Sequence, residues 1–499
     1  MRTFLVGLCG VLLVSPRLSG QCPDGSPPPC GRAAQRTTIP PTSLAVLYFE
    51  NASHDTADAY LAEGITEEII SRLSEVARLQ VKSRYQVRRY RTDTTGDAAE
   101  IGRQLAVARI VTGSVRRAGN RLRVTAEMVR TATGDVVWSE RYDRADTDVL
   151  ALQEDLATAV ATAVTGRLLP TERAVLASQP TRNPAAYDAY LLGRFYWNKR
   201  TAADLVVAAA HFEQAIRTDS NYAQAWSGLA DAYVLFLPAE YDVPGINADS
   251  ILSLAEHAAR RALALAPQLG EAYASLGEIL EYRMQWVEAR VAFERGVALS
   301  PLYPTAHLWY GYDLMVWNRW DEAVREMERV KQLDPLSVVT TVSLAAAYDG
   351  AERVPEADAM FEQARSLAPD HPLVLYFGSV HELIRGDYDE LAADYSHLLR
   401  VTGMDSVTAA DLEGRLRDPA QRAAALRETV DRPGRVSWRA LVYRVLDGDD
   451  RMIQYLSAVE RDPKRSDVGS LLICGCLGSR LRADPRMQAA LQRFGFPRP

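Results

Sequence analysis

The chain has 499 residues, of which 47% are hydrophobic and 24% charged; this excludes a disordered or collagen-like polymer and predicts two or three domains. A net charge of -7 gives it no general attraction to nucleic acid. Lysine occurs only at Lys82, Lys199, Lys331 and Lys464, so arginine carries the basic charge everywhere and a local arginine cluster counts for little.

Arg2 precedes an apolar run over residues 4–14, followed by Ser15, Pro16 and a cut site after Gly20, which reads as a secretory signal over residues 1–20. Eleven apolar residues are fewer than the roughly 20 that span a bilayer. Membrane association is therefore expected only through an uncleaved signal acting as an inner-membrane anchor. The leading expectation is a periplasmic or secreted chain starting near Gln21. Four cysteines then remain, Cys22, Cys30, Cys474 and Cys476, an even number that suits an oxidising compartment. Cys22 and Cys30 lie in a Pro-rich linker, residues 21–43. Cys474 and Cys476 flank one glycine, and no histidine follows His397, so they read as paired or idle thiols and not as zinc ligands.

From Leu44 strand and helix signals alternate: a strand at 44–49, a helix at 57–76, a short strand at 79–83 and a helix at 96–107. Three antiparallel strands follow at 108–117, 121–130 and 136–142. Gly119-Asn120 and Gly134-Asp135 supply the residues tolerant of positive φ that hairpin turns require. A helix at 148–168 completes an α/β amino-terminal domain, a mixed sheet with helices, over residues 44–170. Residues 78–123 hold twelve basic side chains against Asp93, Asp97 and Glu100. No aromatic series accompanies them, so a solvated strand face is favoured over a nucleic-acid or lipid patch. Glu63, Glu67 and Glu68 are expected near a helix start, complementing its dipole, and not as a catalytic pair.

Several strings in this domain occur in order: Ala45-Val46-Leu47-Tyr48-Phe49-Glu50-Asn51, Tyr60-Leu61-Ala62-Glu63-Gly64-Ile65-Thr66-Glu67-Glu68, Ile101-Gly102-Arg103-Gln104-Leu105, Gly113-Ser114-Val115-Arg116-Arg117 and Trp138-Ser139-Glu140-Arg141-Tyr142-Asp143. Together they resemble the TolB amino-terminal-like domain over residues 44–164. Tyr48 and His54 depart from the proline and glycine common there. The resemblance implies a non-catalytic domain, often followed by tetratricopeptide repeats and found beside kinase, cyclase or winged-helix modules. None of those modules is legible in this chain.

Residues 270–371 read as three successive 34-residue repeats. A small residue comes early (Gly277, Gly311, Ala345), an aromatic or branched one after a turn (Trp286, Trp320, Val354), then alanine (Ala289, Ala323, Ala357), a bulky apolar residue (Phe293, Met327, Phe361) and proline (Pro301, Pro335, Pro369). Small residues let two helices approach, large ones fill the space beside them, and proline ends the second helix. The phase extends back through 186–222 and through 223–269, which carries an insertion around residues 238–245. It extends forward to a weaker sixth repeat from Pro372. The period fades beyond Arg400, and residues 403–499 are expected to form a divergent helical cap.

This pattern resembles the tetratricopeptide repeat, which implies an all-α superhelical solenoid over residues 186–402. The resemblance further implies that the first helix of each repeat lines a concave groove, chiefly at offsets 2, 5, 9 and 12. Those offsets give Tyr187, Tyr190, Arg194, Trp197, Asp231, Glu278, Leu308, Tyr312, Met315 and Tyr376. They either hold an extended or helical protein segment by aromatic anchors or pack against neighbouring helices.

No G-x-x-x-x-G-K, H-E-x-x-H, G-x-S-x-G or kinase catalytic loop occurs, and the seven histidines stand singly. The reading is a non-enzymatic scaffold of the bacterial cell envelope that binds a protein or peptide, with no cofactor, metal, small-molecule substrate or nucleic-acid partner. The first alternative is a regulatory module acting with a separately encoded kinase, cyclase or transcription regulator. A hydrolase of unknown type is the remote one.

Overall fold

The computed structural model describes residues 39–91, 97–237, 243, 245–431, 436–459 and 466–498. The expected signal, the linker cysteines Cys22 and Cys30 and most of the 238–245 insertion lie outside these residues. The described chain opens with β1 (Ser43–Val46), β2 (Glu50–Asn51), α1 (Ala59–Ser74), β3 (Gln80–Val81), α2 (Arg84–Val87) and α3 (Ala98–Leu105). Then come β4 (Arg109–Ala118), β5 (Arg121–Arg130), β6 (Val136–Ala145) and α4 (Val149–Thr165). The strands form one mixed sheet in the order β3-β1-β4-β5-β6, with β2 also paired to β4. β1 is parallel to β3 and β4, whereas β4, β5 and β6 run antiparallel.

Leu44, Ala45 and Val46 are wholly buried, as a continuous apolar run in a parallel strand covered on both faces should be. In β5 burial alternates through Leu122, Val124, Ala126 and Met128, which leaves Arg121, Arg123 and Glu127 on an open face. Ile65, Ile69 and Leu73 of α1 and Leu152, Leu156 and Val160 of α4 are buried at helical spacing in the same core.

Two expectations change here. The strand expected at 79–83 shrinks to Gln80–Val81, because Ser83 opens α2 with a capping box whose other half is Gln86. Glu67 and Glu68 lie well inside α1, where Glu67 receives Arg84 at 2.7 Å and Glu68 receives Arg72 at 2.8 Å. They are ion-pair partners and not dipole-compensating residues of a first turn.

From Pro170 the chain is a long run of helices, a plan consistent with a tetratricopeptide solenoid. These are α5 (Pro170–Leu176), α6 (Pro184–Lys199), α7 (Ala202–Thr218), α8 (Ala223–Val234), α9 (Ala248–Leu265), α10 (Gly270–Tyr282), α11 (Trp286–Leu299) and α12 (Pro304–Val316). They continue with α13 (Trp320–Leu333), α14 (Val338–Gly350), α15 (Val354–Leu367), α16 (Pro372–Arg385), α17 (Tyr388–Val401), α18 (Ser406–Arg417), α19 (Arg422–Asp431), α20 (Val436–Asp447), α21 (Asp449–Ala458), α22 (Ser470–Ile473), α23 (Gly478–Arg482) and α24 (Pro485–Arg493).

Within the array α6 packs on α7, α8 on α9, and so on to α16 on α17. The small and large positions do what their sizes require. A Cβ on Gly277 would lie 2.5 Å from Phe293, and one on Gly311 would lie 2.6 Å from Met327. Ala289, Ala323 and Ala357 have no exposed surface. The turn between paired helices repeats as well: Met284, Asn318, Glu352 and Gly386, each 34 residues after the last, have φ of 62°, 61°, 59° and 75°. Only the last is glycine, the residue that adopts this conformation without steric cost.

Each first helix touches the next along α6, α8, α10, α12, α14 and α16, and the second helices make no comparable contact with one another. The first helices are therefore the inner layer. Beyond the array, α22 returns to rest on α12 and α14. Arg482 donates to the Val316 carbonyl, and Trp286 Nε1 donates to the Gly495 carbonyl at 2.7 Å. Cys474 and Cys476 pair with each other across Gly475. Residues 41–499 form one compact unit.

Candidate functional site

The inner layer meets the sheet domain at its first helix. α1 lies on α6 with Gly64 against Leu191, where a Cβ would be only 2.8 Å from the Leu191 side chain. Tyr60 Oη donates to Asp188 at 2.6 Å, and burial followed by that bond pushes its pKa up to about 12. Asn198 of α6 donates to Glu67 at 3.3 Å. At the far side α2 reaches the end of α13: Ser83 Oγ donates to the Leu333 carbonyl at 2.9 Å and Gln86 Nε2 to the Gln332 carbonyl at 2.8 Å. The segment from α1 to α2 thus bridges from the first helix pair to the fourth.

The sheet domain and the packing of the helices on one another together decide how far each expected groove residue is exposed. Tyr187 is fully buried and accepts a hydrogen bond from Gln153 of α4 at 2.7 Å. Trp197 is 1% exposed, with the Arg194 and Arg200 guanidinium groups 4.3 and 3.6 Å from its ring centre. Asp231, also 1% exposed, receives Arg194 at 3.4 Å, Tyr303 Oη at 3.1 Å and the Ser275 hydroxyl. Met315 is wholly buried in the inter-helix core, and Tyr376 is buried beside Trp438 with its hydroxyl 2.8 Å from Ser437. These five are corrections to the expected groove, since a ligand on the inner face does not reach them. Tyr190 packs its ring against Phe212 and Tyr222, and Arg194, with 11% of its side chain exposed, is held by Asp231. Glu278, Leu308 and Tyr312 are half-buried on α10 and α12, with Tyr312 Oη 2.6 Å from Ser343 Oγ.

Between bridge and inner layer lies a polar cavity of about 80 Å³, lined among others by Glu67, Arg84, Arg194, Asp231 and Glu271. It has room for a few waters. Burial raises the carboxyls of Asp231 and Glu271 above the ordinary range, while Arg194 opposes the shift in both. Burial is the largest influence on Arg84 and works against its charge, but Glu67, Tyr85 and Tyr48 together outweigh it and raise the guanidinium pKa. Four carboxyl groups, Glu67, Glu68, Asp231 and Glu271, thus share two guanidinium groups, Arg84 and Arg194. Ser227 Oγ faces it without a protein partner among the described residues, a position for a bound water.

The basic stretch at 78–123 is largely neutralised. Arg78 pairs with Glu172, Arg91 with Glu63, Arg117 with Asp58, and Arg121 and Arg123 both with Asp143. Among the described residues no group of three or more His, Cys, Asp or Glu side chains is arranged to hold a metal, and no helix is long and apolar enough to cross a membrane. Sequence reasoning missed Arg84 and Ser83; the signal for Ser83 was its S-x-x-Q spacing to Gln86.

Comparison with known proteins gives a match of residues 41–159 to the second domain of HilA/YgeH-like transcriptional regulators. That is a different family from the one whose motifs residues 44–164 resemble. A protein described as putative adenylate cyclase 3 of Rhizobium meliloti (strain 1021) is 35% identical over 188 residues, which are 38% of this chain and 32% of that protein. The match therefore spans about a third of that relative. Similar solved structures include YrrB, described as a TPR protein with an unusual peptide-binding site (23% identity, 42% of this chain and 97% of that one, TM-score 0.27). PilW, a type IV pilus biogenesis factor (19%, 46% and 99%, TM-score 0.36), and yeast Tom70 (12%, 87% and 91%, TM-score 0.35) are also similar. This chain is similar over residues 41–159 to a domain of transcriptional regulators, and over 42% of its length to a structure described as a TPR protein.

Proposed function

We propose that the chain is a non-catalytic interaction scaffold whose helical array takes a protein or peptide on its inner face, between the sheet-domain bridge and the returning carboxy-terminal segment. The observation that carries this reading is the continuous layer of first helices, which leaves Glu278, Leu308 and Tyr312 half-exposed between those two covers. An acidic residue beside an aliphatic and an aromatic one suits a segment with apolar side chains and a basic group. Residues 44–170 act as the TolB-like domain their motifs resemble, and residues 403–499 close the array. The apolar run at 4–14 supports a location in the bacterial envelope, and sequencing of the native amino terminus tests that part.

The binding test is a pull-down with the full chain from the native cell envelope, followed by affinity measurement on Leu308→Asp and Tyr312→Ala. A partner held on this face loses about 1–3 kcal/mol of binding in each variant with little change in melting temperature. Undiminished binding in both variants overturns the assignment. A second reading, a regulatory module for a separately encoded signalling enzyme, is favoured by the 188-residue match to a protein named as a putative adenylate cyclase. Recovery of a cyclase, kinase or transcription regulator in the pull-down supports it. Turnover of any member of a broad hydrolase substrate panel by the purified chain would overturn both readings.

A further inference from the structure

β6 is the outer strand of the sheet, and among the described residues no strand pairs with its free edge. It is ten residues long and contains neither proline nor glycine. Val136, Val137, Glu140 and Arg141 are exposed along it. Such an edge is a template for another strand unless something blunts it, and charged side chains are the usual means. β6 carries charges, but their order is informative.

Residues 140–144 of β6 read Glu140, Arg141, Tyr142, Asp143, Arg144. The register with β5 fixes their faces. Asp143 lies opposite Arg123, and Arg141 opposite Thr125, on the open face; Tyr142 lies opposite Val124, and Arg144 opposite Leu122, on the face that carries α4. Two copies of β6 paired antiparallel about a two-fold axis keep each residue on its own face, so only residues of matching parity stand opposite one another. With the axis at Tyr142, Arg141 faces Asp143 of the second copy on the open face and Glu140 faces its Arg144 on the helix face. Symmetry repeats both contacts, which makes four cross-strand pairs of opposite charge around one Tyr142 pair. Moving the axis by one residue places Arg141 or Asp143 opposite itself, and moving it by two does the same for Glu140 or Arg144. Like charges directly opposite are destabilising.

We propose that this chain forms a homodimer by antiparallel pairing of β6 with β6 of a second copy, in the register centred on Tyr142, giving one sheet continuous across both copies. The charges involved keep their places in the single chain. Asp143 receives Arg121 and Arg123 from β5, Arg144 lies 3.3 Å from Asp155 of α4, and Glu140 accepts from Trp138 and Tyr142. Arg141 has no partner within the chain among the described residues, so the second copy's Asp143 supplies one. The inference concerns the sheet domain and stands apart from the inner-face reading above.

The test is the mass of the full chain in solution by size exclusion with light scattering, with melting curves to confirm that every variant is folded. The parent is expected at twice its 55.2 kDa. Glu140→Arg and Arg144→Glu are each expected to be monomeric, because each sets like charges opposite one another at two symmetry-related places. An equimolar mixture of the two is expected to dimerise, since every opposed pair is then of opposite sign. A parent that is monomeric up to its solubility limit overturns the proposal. Single variants that remain dimeric also overturn it, because the contact then lies elsewhere, as does a mixture that stays monomeric when the parent dimerises.

Discussion

Ser83 donates its hydroxyl to the carbonyl of Leu333, 250 positions further along the chain, at 2.9 Å. The same hydroxyl accepts the Gln86 amide, so it caps the start of α2 while α2 in turn caps the end of α13, whose last carbonyls have no partner within their own helix. Ser83→Ala removes both bonds and leaves the Leu333 carbonyl covered. A loss of about 1–2 kcal/mol in stability is expected. Amide exchange should quicken in residues 83–91 and at the α13–α14 junction together, and quickening at only one of the two would separate what this contact joins.

Ala323 has no exposed surface and stands at the position that Ala289 and Ala357 occupy in the adjoining repeats. Ala323→Arg forces a long charged side chain between α12 and α13. Overpacking alone costs about 1–3 kcal/mol, and an unpaired buried charge costs more. The loss spreads through repeat interfaces, so the whole array should melt lower. A melting temperature within a degree of the parent would show that the helix pairs are packed differently.

Glu382 on α16 is 4% exposed and shares the single Arg365 guanidinium with Asp394. Burial, and then the Asp394 charge, raise its pKa to about 9. The folded value exceeds the unfolded one, so the stabilisation from holding this proton is complete below about pH 4.5 and is lost as the pH rises towards 9. Glu382→Gln removes the titration. It should melt close to the parent at pH 5 and be more stable by several kcal/mol at pH 8.5, since about 1.4 kcal/mol is lost per pH unit between the two pKa values. Parallel melting profiles over that range would show that Glu382 is ionised throughout.

Glu352 has φ of 59° at the turn position where Gly386, one repeat later, has 75°. Glu352→Gly relieves a left-handed conformation in a residue that is exposed at the repeat turn. A gain of a few tenths to about 1 kcal/mol is expected, with a loss of similar size for Gly386→Ala. Denaturant titration of the two variants checks the sign of each, and a loss in both would place the strain elsewhere.

The helix pairs were legible because the 34-residue period is local. Gly277 with Phe293 and Gly311 with Met327 sit a fixed distance apart in sequence, and two helices joined by a short turn bring them together whatever the rest of the chain does. The hairpins of β4, β5 and β6 were legible for the same reason, since Gly119 and Gly134, at φ of 61° and 76°, mark turns that their own backbone demands. α2 escaped notice because a single turn of four residues has no period to read.

What the sequence by itself determined is the helix pairs of the array, the hairpins of β4 to β6, and the small and large positions at which paired helices meet. It did not determine which of the inner-face residues meet solvent. Tyr187 and Trp197 occupy groove offsets as surely as Leu308 and Tyr312 do, yet the first two are buried and the other two are not. Tyr187 is covered by the sheet domain, where Gln153 of α4 donates to its hydroxyl, and Trp197 is covered by the array itself, with Arg194 and Arg200 over its ring. Burial is a property of everything that surrounds a residue, and contacts between distant segments leave no period in the chain. Only the tertiary structure therefore decided how much of the inner face stays open.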